Sequence, residues 1–175
     1  MRAMFLEFPD DRTTHYLDRQ YMLGDYFTCN MEFCQWRINQ FDIGPSLLVA
    51  PVFVPLGEET EYYIPAGRWT SFFDSTRTID GPKWVRECVP LDDIPVWVRP
   101  GTLLALGPDE IGRPDYDYTK ELELRAYHVP QNELVVVDVP VGKGVAIAGQ
   151  AVVQGGVGLR VQNLEGCVFD QLLID

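Results

Sequence analysis

The chain has 175 residues, a formal net charge of −12, 46% hydrophobic residues and 12% aromatics. That size and apolar content predict one ordinary folded domain or two small ones and exclude a disordered chain. The acidic balance argues against nucleic acid and anionic membrane as partners, since both need clustered Lys and Arg.

In chain order, residues 4–8 (Met-Phe-Leu-Glu-Phe) read as a short buried strand stopped by Pro9. Thr13 or Thr14 then caps a short helix whose apolar face carries Tyr16, Leu17, Tyr21 and Met22, with Gly24 as its stop. From Ser46 the texture is all-β. Leu47–Phe53, Glu61–Ile64, Arg68–Phe73, Trp84–Cys88, Ile94–Arg99 and Thr102–Leu106 are short apolar or alternating runs broken by Pro and Gly, a spacing that predicts a sandwich. Residues 107–120 are polar and Asp-rich and read as a linker. Beyond them Glu121–Tyr127, Leu134–Val139, Val145–Ala148, Gly158–Gln162 and Leu172–Ile174 predict a second set of strands. No stretch approaches the roughly 18 apolar residues of a membrane helix. No basic segment followed by an apolar one opens the chain as a signal peptide would.

Several residues invite a chemical reading and are weighed against a plainer one. Asp10/Asp11 and Asp92/Asp93 are adjacent carboxylates, but neighbours in sequence rarely converge on one bond and more often cap turns. Trp69, Trp84 and Trp97 could stack on sugars; on alternating strands a Trp more often fills a core. Cys29 and Cys34 form C-x4-C with no second pair to complete a zinc site, and Cys88 and Cys167 are scattered. His15 and His128 lie far apart, with no nucleophile motif near either. Gly142-Lys-Gly144 and Gly155-Gly156 lack the strand–loop–helix setting of a phosphate loop and read as hairpin turns. No cofactor or metal signature stands out.

Met1–Asp11, Tyr16–Asp25 and Ser46–Phe53 together resemble the end of the catalytic barrel in glycoside hydrolase family 31, the α-glucosidase and α-xylosidase family. The resemblance continues through Glu61-Tyr-Tyr-Ile-Pro-Ala-Gly-Arg-Trp-Thr70 and Ile94–Leu104. Arg113-Pro-Asp-Tyr116 after Leu104–Gly107 is more typical of the α-xylosidase branch. It implies a mainly β chain: the last βα unit of a (β/α)8 barrel (1–25) followed by two C-terminal β-sandwich domains (46–107 and 121–175), joined by a linker at 108–120.

The implied chemistry is retaining α-glycoside hydrolysis by two carboxylates about 5–5.5 Å apart. In the family both carboxylates belong to barrel loops upstream of the matching segment. No catalytic residue is therefore assigned in this chain, and no substrate-binding residue either. The implied partners are α-xyloside or α-glucoside oligosaccharides bound by the barrel, with homo-oligomer formation of the intact enzyme left open. Two other readings remain: a non-catalytic carbohydrate-binding β-sandwich, and a truncated product without function. Residues 26–45, rich in aromatics where a surface insertion should be polar, interrupt the resemblance. They read as translated intron or as a loop that buries its aromatics on a partner; mature message spanning them in every condition would exclude the first.

Overall fold

The computed structural model describes residues 4–14, 40–107, 117, 119–140 and 146–173. The described chain is mainly β and divides into two compact units, Met1–Arg99 and Pro100–Asp175.

In the first unit, strands β1 (Phe41–Ile43), β2 (Leu47–Val49), β3 (Glu59–Ser71), β4 (Thr78–Cys88) and β5 (Val96–Val98) form one sheet in the order β1-β2-β5-β3-β4. All its pairs are antiparallel. The sequence suggests two strands, Glu61–Ile64 and Arg68–Phe73, split by Pro65-Ala-Gly67; the structure has one 13-residue strand. A register shift between Ile64 and Gly67 absorbs the proline, which cannot donate to the ladder. The Pro65 carbonyl instead accepts the Trp69 indole N–H at 3.0 Å. Its partner strand β4 begins six residues earlier than the predicted Trp84, because Gly81-Pro82 disguises the first half as a turn. A proline is tolerated there since β4 is an edge strand.

Residues 4–8 require a correction. Instead of a barrel strand they contain one helical turn, α1 (Met4–Glu7), in which Phe8 N–H bonds the Met4 carbonyl at 3.0 Å. No described strand pairs with this segment in a ladder, although α1 lies against β1. Met4 is fully buried in the core with Leu48, Tyr62, Ile64, Trp69 and Trp97. The helix expected over Tyr16–Met22 lies outside the described residues. Residues 26–45, set apart in the sequence, contribute at their end to the sheet: β1 belongs to it, and the Gln40 side chain bonds both the N–H and the carbonyl of Tyr63 at 2.7 Å. Gln40 thereby acts as one more rung of ladder beside β3.

The second unit is a small sandwich. One sheet has the order β11-β7-β6, from β6 (Thr102–Leu106), β7 (Glu123–Tyr127) and β11 (Val168–Leu173), with β11 parallel to β7. The other has the order β10-β9-β8, from β8 (Leu134–Pro140), β9 (Ile147–Gln154) and β10 (Gly158–Gln162). Leu103, Leu124 and Ala126 of the first meet Val139, Ala151 and Val153 of the second in one core. The sequence places β6 before a linker at 108–120; the division between units instead falls at Arg99/Pro100, and β6 pairs with β7 along its whole length. Strand β9 runs through Gly149, where the short run Val145–Ala148 was expected. An added Cβ at Gly149 would lie 2.4 Å from the Leu164 side chain, so glycine there serves close packing rather than a turn.

Close approach is most severe at Gly81, where an added Cβ would stand 1.9 Å from the Pro65 carbonyl oxygen. Gly81→Ala must therefore force β3 and β4 apart at the bulge, at a cost of about 3 kcal/mol. Lys83→Ala, two residues away and exposed, should change stability by less than about 0.5 kcal/mol. Urea unfolding of the two variants checks this; equal midpoints would mean the strands separate without penalty.

Candidate functional site

Consecutive residues of a strand point to opposite faces, yet Tyr62 and Tyr63 of β3 are both buried, at 1% and 5% exposure. Each phenol anchors a different polar cluster. On one side, the Tyr62 hydroxyl donates to Glu87 Oε1 at 2.6 Å and accepts the Trp97 indole N–H at 3.1 Å. Glu87 also pairs with Arg77, whose guanidinium lies over the Trp97 ring, 4.9 Å from its centroid. The four side chains close a ring drawn from β3, β4, β5 and the β3–β4 turn. Arg77, Glu87 and Trp97 form part of the wall of a cavity of about 160 Å³ that Asp74 and Asp93 also reach. Burial first, and then the Glu87 hydrogen bond and charge, push the Tyr62 phenol well above its ordinary range. Asp74 accepts from Thr76 N–H at 3.0 Å and Thr76 Oγ1 at 2.6 Å, and these bonds hold its carboxyl below the usual carboxylate range.

On the other side, the Tyr63 ring lies 5.3 Å from that of Trp84, and its hydroxyl donates to Asp11 Oδ2 at 2.7 Å. Asp11 Oδ1 accepts the Thr13 N–H at 3.0 Å, and the buried Thr14 hydroxyl donates to the Asp11 carbonyl at 2.7 Å. Phe8 completes this contact, with its ring 6.0 Å from Trp69 and the Arg99 guanidinium 4.7 Å above it. The turn at residues 8–14 is thus fastened to β3 by side-chain hydrogen bonds. Burial, followed by the bond to Asp11, pushes the Tyr63 phenol up to about 12.

The residues singled out in the sequence disperse over this framework. Asp10 is exposed, while Asp11 has both carboxylate oxygens engaged. Asp93 Oδ1 accepts the Ile94 N–H at 2.7 Å as a turn residue does, and Asp92 beside it is exposed. Trp69 and Trp97 are core residues, whereas Trp84 on the edge strand is 44% exposed. His128 is buried at the end of β7 with a positive φ of 43°. Cys88 and Cys167 are free thiols. Gly155-Gly156 lies in the turn between β9 and β10. His15, Cys29, Cys34 and Gly142–Gly144 lie outside the described residues. The Tyr62–Trp97–Arg77–Glu87 ring was not foreseen, because its members are up to 35 residues apart and only the strand order brings them together. An isolated signal existed in Glu87, an acidic residue on an apolar alternating run.

Both phenols ionise later in the folded chain than at the ordinary value of 10.0. Their contribution to stability is therefore complete below pH 10 and is lost as pH rises toward and past 12. Urea unfolding should show stability falling between pH 10 and 12, with a shallower fall in Tyr63→Phe. Identical slopes in the two proteins would place Tyr63 in an ordinary solvated environment.

Residues 1–31 and 26–104 match the family model described as the Glycosyl hydrolase family 31 C-terminal domain. The chain is 31% identical over 132 residues to alpha-xylosidase XylQ of Lactiplantibacillus pentosus, a match covering 74% of this chain and 14% of that protein. It is 36% identical over 110 residues to an alpha-xylosidase of Emericella nidulans, covering 59% and 11%. Among solved structures, the fold is similar to a family 31 dextranase of Flavobacterium johnsoniae, with a TM-score of 0.62 and 21% identity over 87% of this chain and 17% of that one. An alpha-xylosidase of Xanthomonas citri matches with a TM-score of 0.51 and 20% identity, over 74% and 16%. The chain thus spans about a seventh or less of the curated relatives named here. The matched residues, running from the first turn into β6, make this chain a member of glycoside hydrolase family 31, in its C-terminal part and near the α-xylosidase branch.

Proposed function

We propose that this chain is the C-terminal β portion of a retaining α-glycosidase of α-xylosidase type, and that it hydrolyses no glycoside by itself. The observation that carries the reading is the family match over residues 1–104 combined with the small share of each relative that the chain covers. Retaining hydrolysis needs one carboxyl kept protonated as an acid and a second free to attack the anomeric carbon. Five of the described carboxylates are engaged elsewhere. Asp11 is committed to Thr13 and Tyr63, Glu87 to Tyr62 and Arg77, and Asp93 to its own turn. Asp74 and Asp117 are held below the usual range by Thr76 and Thr119, the opposite of what a general acid requires. On this reading the two aspartates of the reaction belong to a preceding barrel, and the β units brace it. The substrate class is an α-xyloside or α-glucoside oligosaccharide.

The test is hydrolysis of p-nitrophenyl α-xyloside and α-glucoside by the purified 175-residue chain, beside the same chain joined to the barrel region encoded upstream. The expected result is no turnover above buffer for the short chain and turnover for the longer one, faster on the xyloside. Turnover by the short chain would overturn the reading and make Asp10 and Asp11 the first residues to replace.

A further inference from the structure

The outer face of the β10-β9-β8 sheet has a composition that core packing does not require. The register aligns Leu134, Gln154 and Gly158 across the three strands, then Val136, Val152 and Arg160, then Asp138, Gln150 and Gln162. Alternation directs these residues away from the core, and Leu134 and Val136 are 65% and 50% exposed. The face is not flat. Gly158 contributes no side chain and its φ of 118° disfavours one, so a groove of about 310 Å³ opens between Leu134, Gln154 and Arg160. Gln150 Nε2 donates to Asp138 Oδ1 at 2.8 Å, which orients the amide at the groove's far end.

We propose that this groove binds a neutral oligosaccharide, separately from any hydrolysis. Three carboxamides and one guanidinium supply planar, paired groups that suit adjacent sugar hydroxyls, the amides both donating and accepting. Leu134 and Val152 supply an apolar floor for the C–H faces of the rings, the mixture expected of a small-ligand site. Neighbouring strands stand about 4.8 Å apart, a spacing comparable to one pyranose unit. Charge selects among occupants. A polyanion is repelled by a chain of net charge −12, and a cation meets Arg160, the one charged side chain among the described residues that line the groove. A neutral, hydroxyl-rich ligand meets neither barrier. Without an aromatic platform, affinity should be weak, with a Kd on the order of 1 mM.

The experiment is ¹⁵N–¹H correlation NMR of the 175-residue chain titrated with isomaltotriose and, separately, xylotriose. Side-chain amides of Gln150, Gln154 and Gln162 should shift together and saturably with at least one of the two sugars. Arg160→Ala combined with Gln154→Ala should weaken binding at least fivefold, while an unchanged thermal melt shows that the fold is intact; Arg160 is exposed and Gln154 half-buried. Trp84→Ala should leave binding unchanged. Silence with both sugars at 20-fold the expected Kd would overturn the proposal, as would binding lost in Trp84→Ala but retained in the groove variant. Shifts that depend on protein concentration without sugar would also overturn it, since the occupant would then be a second copy of the chain. None of these outcomes bears on whether the longer polypeptide hydrolyses glycosides.

Discussion

The first unit depends on one strand covered on both faces. Strand β3 pairs with β4 along most of its length and with β5 at its end, so it links the two halves of the sheet. Its neighbours Tyr62 and Tyr63 are buried on opposite sides, which removes the usual freedom of a sheet to leave one face in water. Burying two phenols is tolerable only if both hydroxyls find partners. That requirement determines where Glu87, Trp97 and Asp11 must stand, and through Asp11 where the turn at residues 8–14 must lie.

The same requirement ties Asp11 and Glu87 to structural partners. Among the described residues, Asp11, Glu61, Glu87 and Glu123 are held by phenols, guanidinium groups or turn amides, and each such bond favours a fixed geometry over reactivity. The Tyr62 ring stabilises β3 against β4 and β5; the Tyr63 cluster fastens a preceding segment to the sheet. A portion of a larger enzyme that braces rather than reacts would have this character. In the second unit Gln150, Gln154 and Arg160 instead stand on the outer face of the β10-β9-β8 sheet.

Much of the β character was legible because short apolar or alternating runs in the second unit are bounded by Pro and Gly. Leu134–Pro140 and Gly158–Gln162 sit close to where Pro, Gly and the period-two pattern place them. Three kinds of information were not in the local pattern. Gly and Pro carry two meanings, so Gly81-Pro82 and Gly149 read as breaks although both lie inside strands that need a missing Cβ or a proline-tolerant edge. Partner choice is also invisible: Thr102–Leu106 follows β5 directly in sequence but satisfies its ladder with β7, which moves the division between units to Arg99/Pro100. Finally, Met4–Phe8 has the composition of a strand, yet Met4–Glu7 form a helical turn that puts Met4 into the core. The family was legible for a different reason, the order of several ordinary motifs. The aromatic–ionic ring around Tyr62 was not, since its four members acquire meaning only after the strands have been ordered.

The central claim is that the residues of this chain support a glycosidase without supplying its nucleophile. A retaining enzyme forms a covalent glycosyl–carboxylate bond, so a mechanism-based fluoroglycosyl fluoride of xylose or glucose marks the nucleophile wherever it resides. Intact-mass measurement of the 175-residue chain after prolonged exposure should show no added glycosyl group. A single stoichiometric adduct, mapped by peptide sequencing to an aspartate or glutamate of this chain, would contradict the account and place the chemistry here.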